Sequence, residues 1–136
     1  MTDPKGDRGR RPHEQRDPDL YLRVVERRPD GVVVRGAKLH QTDMLNSHEI
    51  MVMPTIAMRP GEEDWAICFA IPTNTEGIRY FYGRQASDTR KMEDPKLDVG
   101  NPHYGGQEVM TVFEDVFVPE ERIFLDGEVG FSGPLV

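Results

Sequence analysis

The sequence predicts a mainly β domain, with its strands antiparallel and arranged as a barrel-like sheet or a sandwich. Three observations carry that expectation. The apolar runs are of strand length, too short for ordinary helices. They are punctuated by a dense supply of turn formers, 13 Gly and 11 Pro in 136 residues. A Pro29-Asp30-Gly31 turn also sits between two β-branched runs.

Residues 1–19 come first and do not fit a strand. They hold five bases, five acids and three prolines with almost no apolar side chains, which reads as a polar arm or a loose tail. From Leu20 the composition changes abruptly. LYLRVVERR and VVVRGAK flank the Asp-Gly turn and form a hairpin, with the dipeptide supplying positive φ angles. GAKLHQTDMLNSHE, from Gly36 to Glu49, reads as a polar loop between strands. Further strands are expected at EIMVMP (49–54), WAICFAIP (65–72), IRYFYGR (78–84) and QEVMTVFEDVFVP (107–119). WAICFAIP is apolar at nearly every position, which predicts burial on both faces under another layer or another domain. The polar stretch from Arg84 to Gly106 has no periodicity and is long enough to suggest a functional or partner-held connection. Glu120 to Leu125 is expected to form a turn of helix.

Composition removes several functions. The net charge of −7 argues against a nucleic-acid partner, because covering phosphates needs an excess of Lys and Arg. No run approaches the length of a membrane span and no apolar leader is present, so the expected location is cytoplasmic with no membrane partner. Cys68 is the single cysteine, so neither an intrachain disulfide nor a four-cysteine metal site can be made from this chain.

Candidate chemistry falls in a few places. Lys5-Gly6-Asp7-Arg8 combines a glycine with two cations, a pattern that suits an anionic cofactor edge but matches no phosphate-binding fingerprint. His40 and His48 are eight residues apart, too far for a helical metal pair, while Thr42, Asn46 and Ser47 offer short polar groups. Glu108 stands at the mouth of an apolar strand after Gly105-Gly106, where a carboxylate can serve as a base. Arg84, Arg90 and Lys91 could meet a phosphate-bearing substrate or form a solvated face. Cys68 reads as an inert buried thiol. Trp65, Phe69, Tyr80, Phe81, Tyr82, Phe113 and Phe117 read as core.

Five strings, in order, carry a resemblance that covers nearly the whole chain: MTDPKGDR, DLYLRVVERRPDGVVVRGAKLHQT, NSHEIMVMPT, YGRQASDTRK and VFEDVFVPEERIF. Together they resemble the central portion of the 4-hydroxyphenylacetate 3-hydroxylase family, nearest its 4-hydroxybutyryl-CoA dehydratase branch. The resemblance implies the central β domain of an acyl-CoA dehydrogenase-like architecture, with the flanking helical domains missing. It divides the chain into a flavin-contacting arm at 1–19, a central β domain at 20–125 and the start of a C-terminal helical domain at 126–136. FAD is the implied cofactor, contacted by Met1, Thr2, Asp3, Pro4, Lys5, Gly6, Asp7 and Arg8 and by His40, Gln41, Thr42 and Asp43, with the Thr42 hydroxyl near the flavin ring. Glu108 is the implied catalytic carboxylate. The dehydratase branch also implies a [4Fe-4S] cluster, whose ligands this chain lacks.

The implied function is that of a fragment of a flavin-dependent lyase or oxidoreductase acting on an acyl-CoA, with an FAD-dependent oxygenase of phenolic substrates as the alternative. Its implied partners are the missing helical domains or a separately encoded half, in a homo-oligomer. Alone, the chain is expected to bind FAD weakly and to be inactive. A noncatalytic β module binding a protein through its apolar strands is the reading from a different class.

Overall fold

The computed structural model describes residues 2–4, 6–82 and 108–136. Among these residues, seven strands form two antiparallel sheets. The first has the order β1 (Arg23–Arg28), β2 (Gly31–Thr42), β6 (Glu108–Pro119), β5 (Ile78–Tyr82). The second has the order β3 (Glu49–Val52), β4 (Ile67–Pro72), β7 (Ile123–Asp126). They form a sandwich, and the barrel-like alternative does not hold because the two sheets stay separate. Between them lies one apolar core, with Val24, Val32, Val34, Val109, Phe113, Val116 and Val118 from the first sheet against Ile50, Val52, Ile67, Phe69 and Ile71 from the second. Phe69 and Phe113 meet edge to face across it, with ring centroids 6.1 Å apart.

The β1–β2 hairpin is present, but its turn differs from the expectation. Arg28 pairs with Gly31, so the loop is Pro29-Asp30, and Asp30 is not among the residues with positive φ. Gly31 is the first strand residue. A side chain there would stand 2.1 Å from the Val118 carbonyl, so glycine is required by the close approach of β6. The expected loop after residue 36 is strand as far as Thr42, because the β6 edge beside it supplies backbone partners down to Glu108.

β4 is covered on both faces, and this chain itself provides the second cover. Ala66 and Cys68 pack with Met58, Leu125, Met53, Ile56, Trp65 and Val129, drawn from the 53–58 connection, the 3-10 turn before β4, β7 and the short helix α1 (Val129–Ser132). The expected helical turn at 120–125 is a single 3-10 turn at Glu120–Arg122, after which the chain enters β7 and pairs with β4. Among the residues expected in the core, Phe69 and Phe113 are there, while Phe81 is 53% exposed.

The first 19 residues are no loose tail. Several of their polar groups are tied to the sandwich: Asp3 is buried against Lys38, Gln15 is buried, and Arg11 reaches the buried Glu62. Composition could not show this, since each pairing partner lies far away in sequence.

Candidate functional site

The site is built on the far end of β2. Its register against β6 runs from Lys38↔Thr111 to Gln41↔Val109, so Leu39 and His40 face the single residue Met110. This β-bulge puts His40 at a φ of 56°, a left-handed conformation that histidine adopts more readily than most residues. Bulges re-aim the side chains that follow. Gln41 is turned inward and donates to its neighbour's carbonyl, Nε2 to Leu39 O at 2.7 Å, while Thr42 lies at the exposed rim. Asp43, also left-handed at a φ of 56°, ends the strand, and its carbonyl accepts from Ser47 Oγ at 3.1 Å.

Thr42 and Glu108 are cross-strand partners, and the Thr42 hydroxyl donates to Glu108 Oε1 at 2.5 Å. Glu108 Oε2 is buried and has no hydrogen-bond partner among the described residues. A carboxylate oxygen in that state is unusual, because buried polar atoms are nearly always paired. Beside it Leu39, His40, Phe81, Tyr82, Val109 and Met110 line a shallow cavity of about 270 Å³. Larger hollows of about 440 and 540 Å³ lie on the first sheet around Arg28, Arg35 and Arg79. There the guanidinium groups of Arg28, Arg35 and Arg79 are already engaged by Glu26, Asp115 and Glu114.

The arm reaches the same end of β2. Thr2 and Leu39 exchange backbone hydrogen bonds of 2.8 and 2.7 Å, placing the arm three residues from Thr42. Asp3 is buried against Lys38, with Nζ to Oδ1 at 2.6 Å, and its other carboxylate oxygen accepts from the Thr55 hydroxyl. Burial pushes the Lys38 ammonium pKa down, opposed by the Asp3 charge. Burial also pushes the Cys68 thiol pKa up, which keeps it protonated and inert. Gly6 takes a φ of 44°, with Leu20 and Gln15 so close that a side chain would collide. Gln15 closes the loop, accepting from Asp7 N at 3.1 Å and donating to Asp7 O at 2.9 Å. Further along, the carboxylate of Glu62, fully buried, accepts from Arg11, from His13 Nδ1 at 3.0 Å and from Arg59 N at 2.8 Å.

The sequence-expected residues thus divide. Thr2, Asp3, Leu39 to Thr42 and Glu108 come together at one end of the sheet. Pro4 is half-buried, whereas Gly6, Asp7, Arg8, His40 and Asp43 are exposed. Met1 and Lys5, like Arg84, Arg90 and Lys91, lie outside the described residues. His48 is exposed, and no group of three or more His, Cys, Asp or Glu gathers as metal ligands among the described residues. Lys38, Thr55, Glu62, Arg11 and His13 were missed. A signal existed for Lys38, which falls on the same strand parity as the inward Val32 and Val34. No helix among the described residues is long and apolar enough to cross a membrane.

Comparison with known proteins places these observations in a family. The profile of the 4-hydroxyphenylacetate 3-hydroxylase N-terminal family matches residues 1–125. The chain is 56% identical over its whole length to 4-hydroxybutyryl-CoA dehydratase/vinylacetyl-CoA-Delta-isomerase of Clostridium aminobutyricum, of which it covers 28%. It is 36% identical over 93% of its length to the oxygenase component of 4-hydroxyphenylacetate 3-monooxygenase of Geobacillus sp., covering 26% of that protein. The chain therefore spans little more than a quarter of these relatives. Among solved structures, an oxygen-tolerant archaeal 4-hydroxybutyryl-CoA dehydratase from N. maritimus superposes with a TM-score of 0.83 at 50% identity over 97% of this chain and 26% of that one. The oxygenase component HpaB in complex with FAD superposes with a TM-score of 0.77 at 29% identity over 96% of this chain and 26% of that one. Butyryl-CoA dehydrogenase of Megasphaera elsdenii, at 17% identity and a TM-score of 0.53, shares the fold alone. With the profile spanning residues 1–125 and relatives of both activities aligned along nearly all of it, the chain belongs to the 4-hydroxyphenylacetate 3-hydroxylase family.

Proposed function

We propose that this chain forms one wall of a flavin site in a 4-hydroxybutyryl-CoA dehydratase-like enzyme, with FAD lying between the arm from Thr2 to Arg8 and the β2 segment from His40 to Asp43. The observation that carries this reading is the junction itself. Two sequence-distant segments meet through the Thr2–Leu39 pairing, beside a carboxylate whose inner oxygen has no partner among the described residues. The residues suit such a group. The rim is polar at Thr42, the adjoining cavity is lined mainly by apolar side chains, and Glu108 Oε2 has no hydrogen-bond partner among the described residues.

When bound, FAD supplies the redox chemistry at its ring. The chain's own part is electrostatic and geometric. The Thr42 hydroxyl fixes the Glu108 carboxylate through Oε1 at the mouth of β6, where the carboxylate serves as the base toward an acyl-CoA. The cluster of the dehydratase branch needs ligands from elsewhere, because Cys68 is the sole cysteine and is buried in β4. The dehydratase branch is preferred over the phenol oxygenases on identity, 56% against 36%. The rest of the enzyme comes from helical parts or a second chain, and the assembly is oligomeric.

The test is a chimera in which this chain replaces the matching quarter of the Clostridium relative. The purified chimera should retain FAD and a yellow colour, and Glu108→Gln should keep the flavin while abolishing dehydration. A folded but colourless chimera would overturn the reading. Titrated alone, the chain should bind FAD only weakly.

A further inference from the structure

We propose that the Asp3–Lys38 ion pair is a positioning clasp that sets the register of the arm on β2, and so fixes where Thr2 to Arg8 stand relative to Thr42 and Glu108. The proposal deepens the flavin-wall reading and rests on it only for its ligand consequence. Neither group is at the surface: the side chains are 4% and 2% exposed, with Nζ and Oδ1 2.6 Å apart. The ammonium also donates to the Met53 carbonyl at 2.8 Å, and the second Asp3 oxygen accepts from Thr55. One buried cation therefore ties together three segments, the arm, β2 and the connection after β3.

The need for such a device follows from how little else holds the arm there. Besides the ion pair, the described residues join it to β2 here through the reciprocal Thr2–Leu39 backbone bonds and a Thr2 hydroxyl contact to the Leu39 carbonyl at 3.5 Å, and backbone bonds alone do not specify register. A slip by one residue would turn position 3 to the other face and leave Lys38 charged, buried and unpaired. Registry is the best-attested use of a buried ion pair, since breaking one is costly whereas its net contribution to stability is small. Lys38 lies immediately before the Leu39–His40 bulge, so the clasp and the re-aiming of Thr42 share one stretch of strand. A lysine used merely to stabilise the sandwich would have no reason to face the arm.

The experiment compares K38M, D3N and the D3N/K38M double variant of the full chain by amide hydrogen exchange. In K38M the Thr2 and Leu39 amides should exchange faster by roughly a hundredfold, while Phe69 and Phe113 in the core keep their protection. D3N should act in the same direction, and the double variant should stay more open than wild type, because relieving the lone buried charge does not restore the pair that specifies the register. Should K38M unfold altogether, D3N carries the comparison against the same core amides. Unchanged arm protection in D3N, or a double variant as protected as wild type, would overturn the clasp. The same substitutions in the chimera read the ligand consequence. FAD retention should fall in K38M and stay low in the double variant, and retention unchanged with an open arm would refute a positioning role. A colourless wild-type chimera would defeat the flavin reading alone and leave the exchange result to decide the clasp.

Discussion

The space between the two sheets and the seam under the arm are both buried, and they are held by opposite means. Between the sheets, Val34, Val52, Phe69, Phe113 and Val116 exclude water without a polar atom among their side chains. Under the arm, Asp3 is held by Lys38 and Thr55, and Glu62 by Arg11, His13 and Arg59. The apolar interior is stabilised by area and tolerates many sequences. The seam gains little net stability from its charges, but it accepts only one arrangement, because each alternative leaves a charge buried without a partner. The fold rests on the first region, and the placement of the candidate site on the second.

The contrast can be broken first at the core. Phe113→Ala removes a ring that is 1% exposed and its edge contact with Phe69, and should cost about 3–5 kcal/mol in chemical denaturation. The arm should detach with the sandwich, since its partners are sheet residues.

A second test uses acid. Burial by itself would raise the Glu62 pKa, but hydrogen bonds from Arg11, the Arg59 amide and His13 outweigh it and hold the carboxyl below its ordinary value. A lowered folded pKa means that this stabilisation is complete above the ordinary glutamate range and is lost as pH falls through the folded value. Wild type should therefore exceed Glu62→Gln in denaturation midpoint at neutral pH, and the difference should vanish in acid. A gap that persists or widens in acid would show that the seam is not held by charge.

The smallest effect is expected at the rim. Thr42→Val removes one exposed hydroxyl and its bond to Glu108, and should change stability by less than about 1 kcal/mol. In the chimera the same change should weaken FAD retention. A large stability loss instead would make Thr42 a structural residue.

Much of this organisation could be read from residue order. The β1–β2 hairpin, β3 to β6 and a cover over both faces of β4 followed from apolar runs and their punctuation, whereas the backbone pairing of Thr2 with Leu39 had no local signal. The failures share one cause. The extension of β2 through Lys38, His40 and Gln41 defies local polarity, and only the β6 edge makes strand the best state for those backbone groups. β7 likewise exists because β4 has an open edge for it.

By itself, then, the sequence determined the class of fold, most of its strands and the lack of cluster-forming cysteines in this chain, because these depend on local periodicity and on composition. Only the tertiary structure decided that the charged arm is docked, that Lys38 and Glu62 are buried, and that Glu108 meets Thr42. Those outcomes depend on which charges meet across 35, 51 and 66 residues of chain, a matter of geometry that no local pattern encodes.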